Sequence, residues 1–283
     1  MKYRSVAIGI SLLFTLAASA QEPVAAQALT SEQVDLYFGD RQTALKHTMR
    51  GTLEVRELLT RYQPGEKLRK GAVLRLLNSL AYATLPPRAS TSPVRLSGQQ
   101  EIFFVAAGQG TINAAGKRET LEKNVAVLVP ANLEFTIQNS GDQPLEMYLL
   151  SELTPAGFQP KDQLVVRNEN TQAISASDDR WSHIVKPLFA KADGLATLRS
   201  VSTVTQDAQT IGRPVVRYPG SEEIWTSLEG TSVAFLGNQL RKQGPGVAYL
   251  APADGQTPHS NINDRPAGQV RFLRFSALPD EAN

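Results

Sequence analysis

The chain has 283 residues, of which 29 are Lys or Arg, 27 are Asp or Glu, three are His and none is Cys. Without cysteine there are no disulfides, no thiol catalysis and no thiolate metal sites. The near-balance of charge gives no electrostatic footprint for nucleic acid, and no run of like charges marks an interaction tail.

The N-terminus carries Lys2 and Arg4, then an apolar run from Val6 to Ala18, then Ala18-Ser19-Ala20. A basic region, an apolar core and a small-x-small end predict a signal peptide at 1–20, cut after Ala20, and hence a periplasmic or secreted chain. The run is too short to span a bilayer comfortably, and no later segment is apolar enough. The mature chain is therefore expected to have no membrane insertion and to be held by core burial alone.

Residues 21–50 read as an N-terminal extension. Its first part, to Thr30, is a loose polar tail, and Thr30-Ser31-Glu32-Gln33 forms a capping-box pattern for a short helix running toward Arg50. A first domain is expected over 51–153. An extended segment starts at Leu53, Gln63-Pro64-Gly65-Glu66 is a turn, and Val73–Leu85 supplies a strand or two, or a helix that Pro86-Pro87 would stop. Strands follow at Ile102–Ala106, Val125–Val129, Phe135–Gln138 and Leu145–Leu150. Short strands punctuated by Gly and Pro predict an all-β sandwich or barrel. Residues 154–180, rich in Pro, Asn, Gln, Ser and Asp, read as a linker to a second domain at 181–283. There, Trp181–Ala192 reads as a short helix, and Leu195–Thr205 and Val270–Phe275 as strands.

One stretch occurs twice. At a constant offset, Pro93–Gly108 and Val215–Gly230 share Val94/Val216, Arg95/Arg217, Gly98/Gly220, Glu101/Glu223, Ile102/Ile224 and Gly108/Gly230. The same offset matches Val125-Ala126-x-Leu128-x-Pro130-Ala131 to Val247-Ala248-x-Leu250-x-Pro252-Ala253. Ungapped identities of this number indicate a tandem duplication of one domain.

The repeated pattern resembles the two cupin motifs. Glu-x6-Gly, the tail of the first, is present as Glu101–Gly108 and Glu223–Gly230. The second runs Gly-x5-Pro-x-Gly-x2-His-x3-Asn. Gly246, Pro252, Asp254, His259 and Asn263 fill it in the second copy, with two extra residues before the His; Asn124, Pro130, Asn132, Phe135 and Asn139 fill it in the first. The chain thus resembles a secreted bicupin, similar in architecture to germins and oxalate decarboxylases. The resemblance implies an all-β fold of two tandem conical jelly-roll barrels with a short N-terminal extension, and it admits a homodimer.

Cupin enzymes hold a divalent metal through a His-x-His pair, the motif Glu and a later His. Here only His259 falls on a ligand position. The His-x-His slots hold Val94/Leu96 or Pro93/Arg95 in copy one, and Val216/Tyr218 or Val215/Arg217 in copy two. Copy one, with Glu101 alone, reads as a structural barrel. In copy two, Glu223 and His259, with Glu222 as a further carboxylate, would be the ligands of one divalent metal, although losing two nitrogen donors removes most of the preference for a transition metal. The alternative to a metal is Arg217. Pointing inward, its guanidinium would grip a carboxylate or other anion, with Tyr218 or Trp225 as a stacking wall; pointing outward, it would be a surface residue, and strand register decides between the two.

The leading expectation is a small-molecule binder for an organic acid, sugar acid or other anion, contacted by Arg217, Tyr218, Glu223, His259 and Asn263. A metal-dependent dioxygenase, decarboxylase or isomerase with a reduced ligand set, and a structural or oligomerising module, are the alternatives. Asn261 and Asn263 also suit a turn. No Gly-x-Ser-x-Gly elbow, P-loop or dinucleotide fingerprint is present.

Overall fold

Strands form where β-branched and aromatic residues alternate with small or polar ones, and they stop where Gly, Pro or Asn turns the chain. The computed structural model describes residues 29–176 and 181–278. The expected leader and the start of the tail lie outside the described residues. Among the described residues, no helix is long and apolar enough to cross a membrane.

Thr30 and Gln33 make the expected capping box: the Thr30 hydroxyl accepts from the Gln33 amide, and the Gln33 side chain accepts from the Thr30 amide. The helix runs only over Ser31–Leu36 and does not continue toward Arg50. It buries the single residue Val34, too small an apolar face to sustain more turns. The chain passes directly into strand Phe38–Asp40.

Two barrels follow, as the repeat implies. In barrel one, a large sheet runs in the spatial order Val165–Asn168, Val125–Val129, Gln99–Ala107, Leu145–Leu153, Leu77–Leu85, Leu53–Arg61, Lys46–Met49. It faces a smaller sheet of Val94–Arg95, Glu134–Asn139, Gln109–Ala114 and Lys117–Glu122. In barrel two, the order is Phe38–Asp40, Val247–Ala251, Glu222–Glu229, Val270–Ala277, Leu198–Gln206, His183–Ala190, facing Thr210–Ile211, His259–Asn263, Ser232–Leu236 and Gln239–Gln243. Ala72–Leu74 adds a short parallel pairing to Leu53–Arg61. The Val73–Leu85 segment thus lies in two strands, Ala72–Leu74 and Leu77–Leu85, joined by a bend at Arg75-Leu76. Trp181–Ala192, expected as a helix, contains the strand His183–Ala190 instead. Its residues Val185, Leu188 and Phe189 are buried on two different faces of a sheet, and pairing along Leu198–Gln206 overrides any local helical preference.

The edge strands are exchanged. Phe38–Asp40, which precedes barrel one, pairs with Val247–Ala251 of barrel two. Val165–Asn168, which precedes barrel two, pairs with Val125–Val129 of barrel one. Val165–Asn168, within the segment between the barrels, is therefore part of the first barrel's sheet. Each exchanged strand covers an edge that would otherwise present unpaired backbone groups.

Side chains alternate across each large sheet, which creates three cores. Phe103, Phe135, Ile137, Met147 and Leu149 fill barrel one. Trp225, Leu236, Tyr249 and Phe272 belong to the apolar part of barrel two. The outer faces of both large sheets, with Leu80, Phe104, Leu150, Ile224, Leu250 and Phe275, pack together into one core between the barrels.

Candidate functional site

The strand registers give a residue-by-residue match between the barrels. Phe103 lies opposite Val127 and Leu149, and Trp225 lies opposite Tyr249 and Arg274. Leu149 faces Ala81, and Arg274 faces Ser202. Phe135 pairs with Ala114, and His259 with Leu236; Ile137 pairs with Ile112, and Asn261 with Ala234. Position by position, the interior of barrel one (Ala81, Phe103, Val127, Phe135, Ile137, Leu149) becomes Ser202, Trp225, Tyr249, His259, Asn261 and Arg274 in barrel two. All twelve residues are buried. The same backbone thus encloses an apolar core in one copy and a polar interior in the other. Burying that many polar groups costs free energy unless they are hydrogen-bonded.

Two of them, Trp225 and His259, are bonded to Glu223, and the others pair among themselves. Glu223 Oε1 lies 2.9 Å from His259 Nε2 and accepts a hydrogen bond from Trp225 Nε1 at 2.8 Å. Its Oε2 lies 3.2 Å from Arg217 Nη1. The Tyr249 hydroxyl donates to Asn261 Oδ1 at 3.3 Å. The Arg274 guanidinium lies 5.6 Å from the Trp225 ring centre, and its Nε donates to Ser202 Oγ. Glu223 and His259 are both 1% exposed.

Arg217 points inward because of a one-residue shift that the ungapped repeat conceals. Val94 pairs with Phe135, whereas Val215, not Val216, bridges His259, which matches Phe135. The Asn132 amide donates to the Leu96 carbonyl, and the Gly255 amide to the Arg217 carbonyl. Arg217 therefore stands where barrel one has the buried Leu96. Its sequence match, Arg95, lies on the surface near Glu134. A one-residue shift in the opposite direction puts Gly255, not Asp254, in the second glycine slot of the motif.

Tyr218 is 74% exposed at the rim of the mouth. Arg217, Tyr218 and Glu223 line a cleft of about 300 Å³ with Arg199, Arg274 and Ser276. Three arginines and the carboxylate of Glu223 line it, and Arg217 pairs with Glu223. Arg217 Nε is buried with no hydrogen-bond partner among the described residues, a donor that an incoming acceptor would satisfy. Arg199 and Arg274 are site residues that sequence reasoning missed. Their signal was the alternation within Leu198–Gln206 and Val270–Ala277, which is readable only once the strands are paired.

Two expected residues lie elsewhere. Asn263, proposed as a ligand contact, donates to the Gln206 and Gly268 carbonyls and accepts from the Arg265 amide, so it ties a turn and does not reach the mouth. Its counterpart Asn139 does the same, donating to the Leu85, Pro86 and Gln143 carbonyls. Glu222, the expected further carboxylate ligand, faces barrel one. It accepts from the amides of Arg75 and Leu77; burial pushes its carboxyl above the ordinary value, and those amides oppose the rise.

The donor set does not fit a resident metal. Among the described residues, no three His, Cys, Asp or Glu side chains cluster so as to hold one. Glu223 and His259 are bonded directly to each other, and a cation between them would sit beside the Arg217 guanidinium. In barrel one, Glu101 forms a buried ion pair with Arg50, whose guanidinium lies 5.2 Å from the Phe135 ring centre. Both motif carboxylates are thus paired with an arginine, each drawn from a different part of its barrel.

Comparison with known proteins agrees with this architecture. Residues 81–151 match the Cupin domain family (Cupin_2). No curated protein matches the chain in sequence. Among solved structures, it is similar to protein Ylba from E. coli (14% identity, TM-score 0.65, 92% of this chain and 97% of that one). It is also similar to vicilin from hazelnut, Corylus avellana (15%, 0.64, 86% and 85%). Oxalate decarboxylase from Bacillus subtilis aligns comparably (11%, 0.63, 86% and 76%). At such identities the likeness concerns the fold: the chain is a cupin-fold protein made of two tandem jelly-roll barrels.

Proposed function

We propose that the protein is an exported small-molecule binder whose second barrel holds a small organic acid or similar anion at its mouth. The observation that carries this reading is a cleft of about 300 Å³ lined by Arg199, Arg217 and Arg274, with Glu223 paired to Arg217. Arg217 and Arg274 would grip a carboxylate in a largely desolvated setting, where charge-assisted hydrogen bonds are strong. Glu223 holds Arg217 in place and offsets part of the positive charge. Trp225 and His259 orient Glu223 from inside the barrel, and Tyr218 covers the ligand from the rim. Export rests on the leader pattern at 1–20.

The test is a thermal-shift series with oxalate, malonate, succinate and a sugar acid. A ligand near one hundred times its Kd stabilises the folded chain by about 2.7 kcal/mol, a shift of several degrees. Arg217→Lys keeps a charge beside Glu223 but loses the planar fork, and it is expected to abolish most of the shift. No shift with any acid, or an equal shift in the variant, would overturn the reading.

A further inference from the structure

We propose that the cleft between the two barrels is a second small-molecule site, one that takes a carboxylate with an apolar body. The cleft encloses about 440 Å³, within the ordinary range for small-ligand pockets. Its wall comes from three parts of the chain: Tyr37 of the N-terminal extension, Tyr62, Arg75 and Leu76 of barrel one, and Leu250 and Pro252 of barrel two. Rings and aliphatic side chains make most of that surface, which sets the body of the ligand.

The charges set its head group. Two acidic residues border the cleft, and both are already satisfied: Glu222 by the amides of Arg75 and Leu77, and Asp254 by the Gln256 and Thr257 amides and the Thr257 hydroxyl. The Arg75 guanidinium has no carboxylate partner among the described residues. It lies 5.8 Å from the Tyr62 ring centre, on the exposed side of the cleft. A ligand laid against Tyr37, Leu76 and Leu250 would bring a single carboxylate to this one uncommitted cation, next to the Tyr37 phenol. The Tyr37 phenol, held above its ordinary range by burial and by Asp254 with Arg75 opposing, is a neutral hydroxyl at neutral pH as any tyrosine is, and it can donate to the same carboxylate.

This site differs from the mouth of barrel two in place and in chemistry, and calorimetric titration of the full chain separates them. The probes are 2-naphthoate and octanoate, which distinguish a ring from a chain as the apolar body. At least one is expected to bind, with affinity reduced tenfold or more in Arg75→Ala and unchanged in Arg217→Lys. Arg75 is exposed and only its backbone amide serves Glu222, so the substitution spares the fold. Leu68→Asp, at a wall residue that is 46% exposed, is expected to weaken binding in parallel. Failure of both probes to bind, or equal binding by Arg75→Ala and the parent, would overturn the proposal. Loss in Arg217→Lys with retention in Arg75→Ala would assign the binding to the mouth and overturn it as well.

Discussion

Glu101 shows what a carboxylate requires inside an otherwise apolar barrel. It is 3% exposed and paired with Arg50. Burial pushes its carboxyl above the ordinary value of 4.5, and the Arg50 guanidinium opposes the rise without cancelling it. The folded chain therefore holds the Glu101 proton more readily than the unfolded chain does. The stability tied to this group is fully present below the ordinary carboxylate value and is lost as pH rises through the folded value. Glu101→Gln removes that titration. Chemical denaturation followed from about pH 4.5 to neutrality should show a shallower loss of stability in the variant; an unchanged slope would contradict the assignment. Removing the other partner by Arg50→Met takes away the group that opposes the rise, so in that variant the loss of stability should extend to higher pH.

Residue identity also explains which parts of the site were legible from sequence. Glu223 and His259 could be located from motif spacing because they occupy fixed slots of a repeated pattern. The direction of Arg217 could not, because the one-residue shift between Val94 and Val215 alters no identity in the ungapped match yet reverses which side chain faces in. Arg199 and Arg274 carry no motif. They become site residues only when folding brings their strands to the cleft that Arg217 and Glu223 line.

Among elements, the exchanged strand Phe38–Asp40 is the most exposed to a single change. It pairs with Val247–Ala251 and also passes close over the backbone of barrel one. A Cβ on Gly39 would lie 1.9 Å from the Leu58 carbonyl oxygen, and backbone cannot yield as a flexible side chain can. Gly39→Ala should therefore cost roughly 1–3 kcal/mol by overpacking, lowering the urea midpoint and opening Val247–Ala251 to proteolysis. An unaltered midpoint would mean that the strand does not dock as described. Short strands between Gly and Pro were legible from sequence. Their partners were not, because Phe38–Asp40 and Val247–Ala251 are joined by long-range hydrogen bonds that leave no local pattern. The helix expected at Trp181–Ala192 failed for the same reason.

At the scale of the molecule, duplication followed by divergence accounts for the asymmetry. Both barrels keep the outer apolar faces that form their shared core and the Asn139/Asn263 turn clamps, because each is needed for folding. Inside, one copy has a packed apolar core and the other has buried polar groups, which are costly unless they are hydrogen-bonded. The measurement that addresses this most directly is calorimetric titration of malonate into the parent protein and into Arg274→Leu, which gives barrel two the residue that barrel one carries at Leu149. Malonate binding to the parent, weakened tenfold or more in Arg274→Leu with the melting temperature held or raised, is the predicted result. Equal binding by the two proteins would contradict the claim that the polar interior of the second barrel is the binding site.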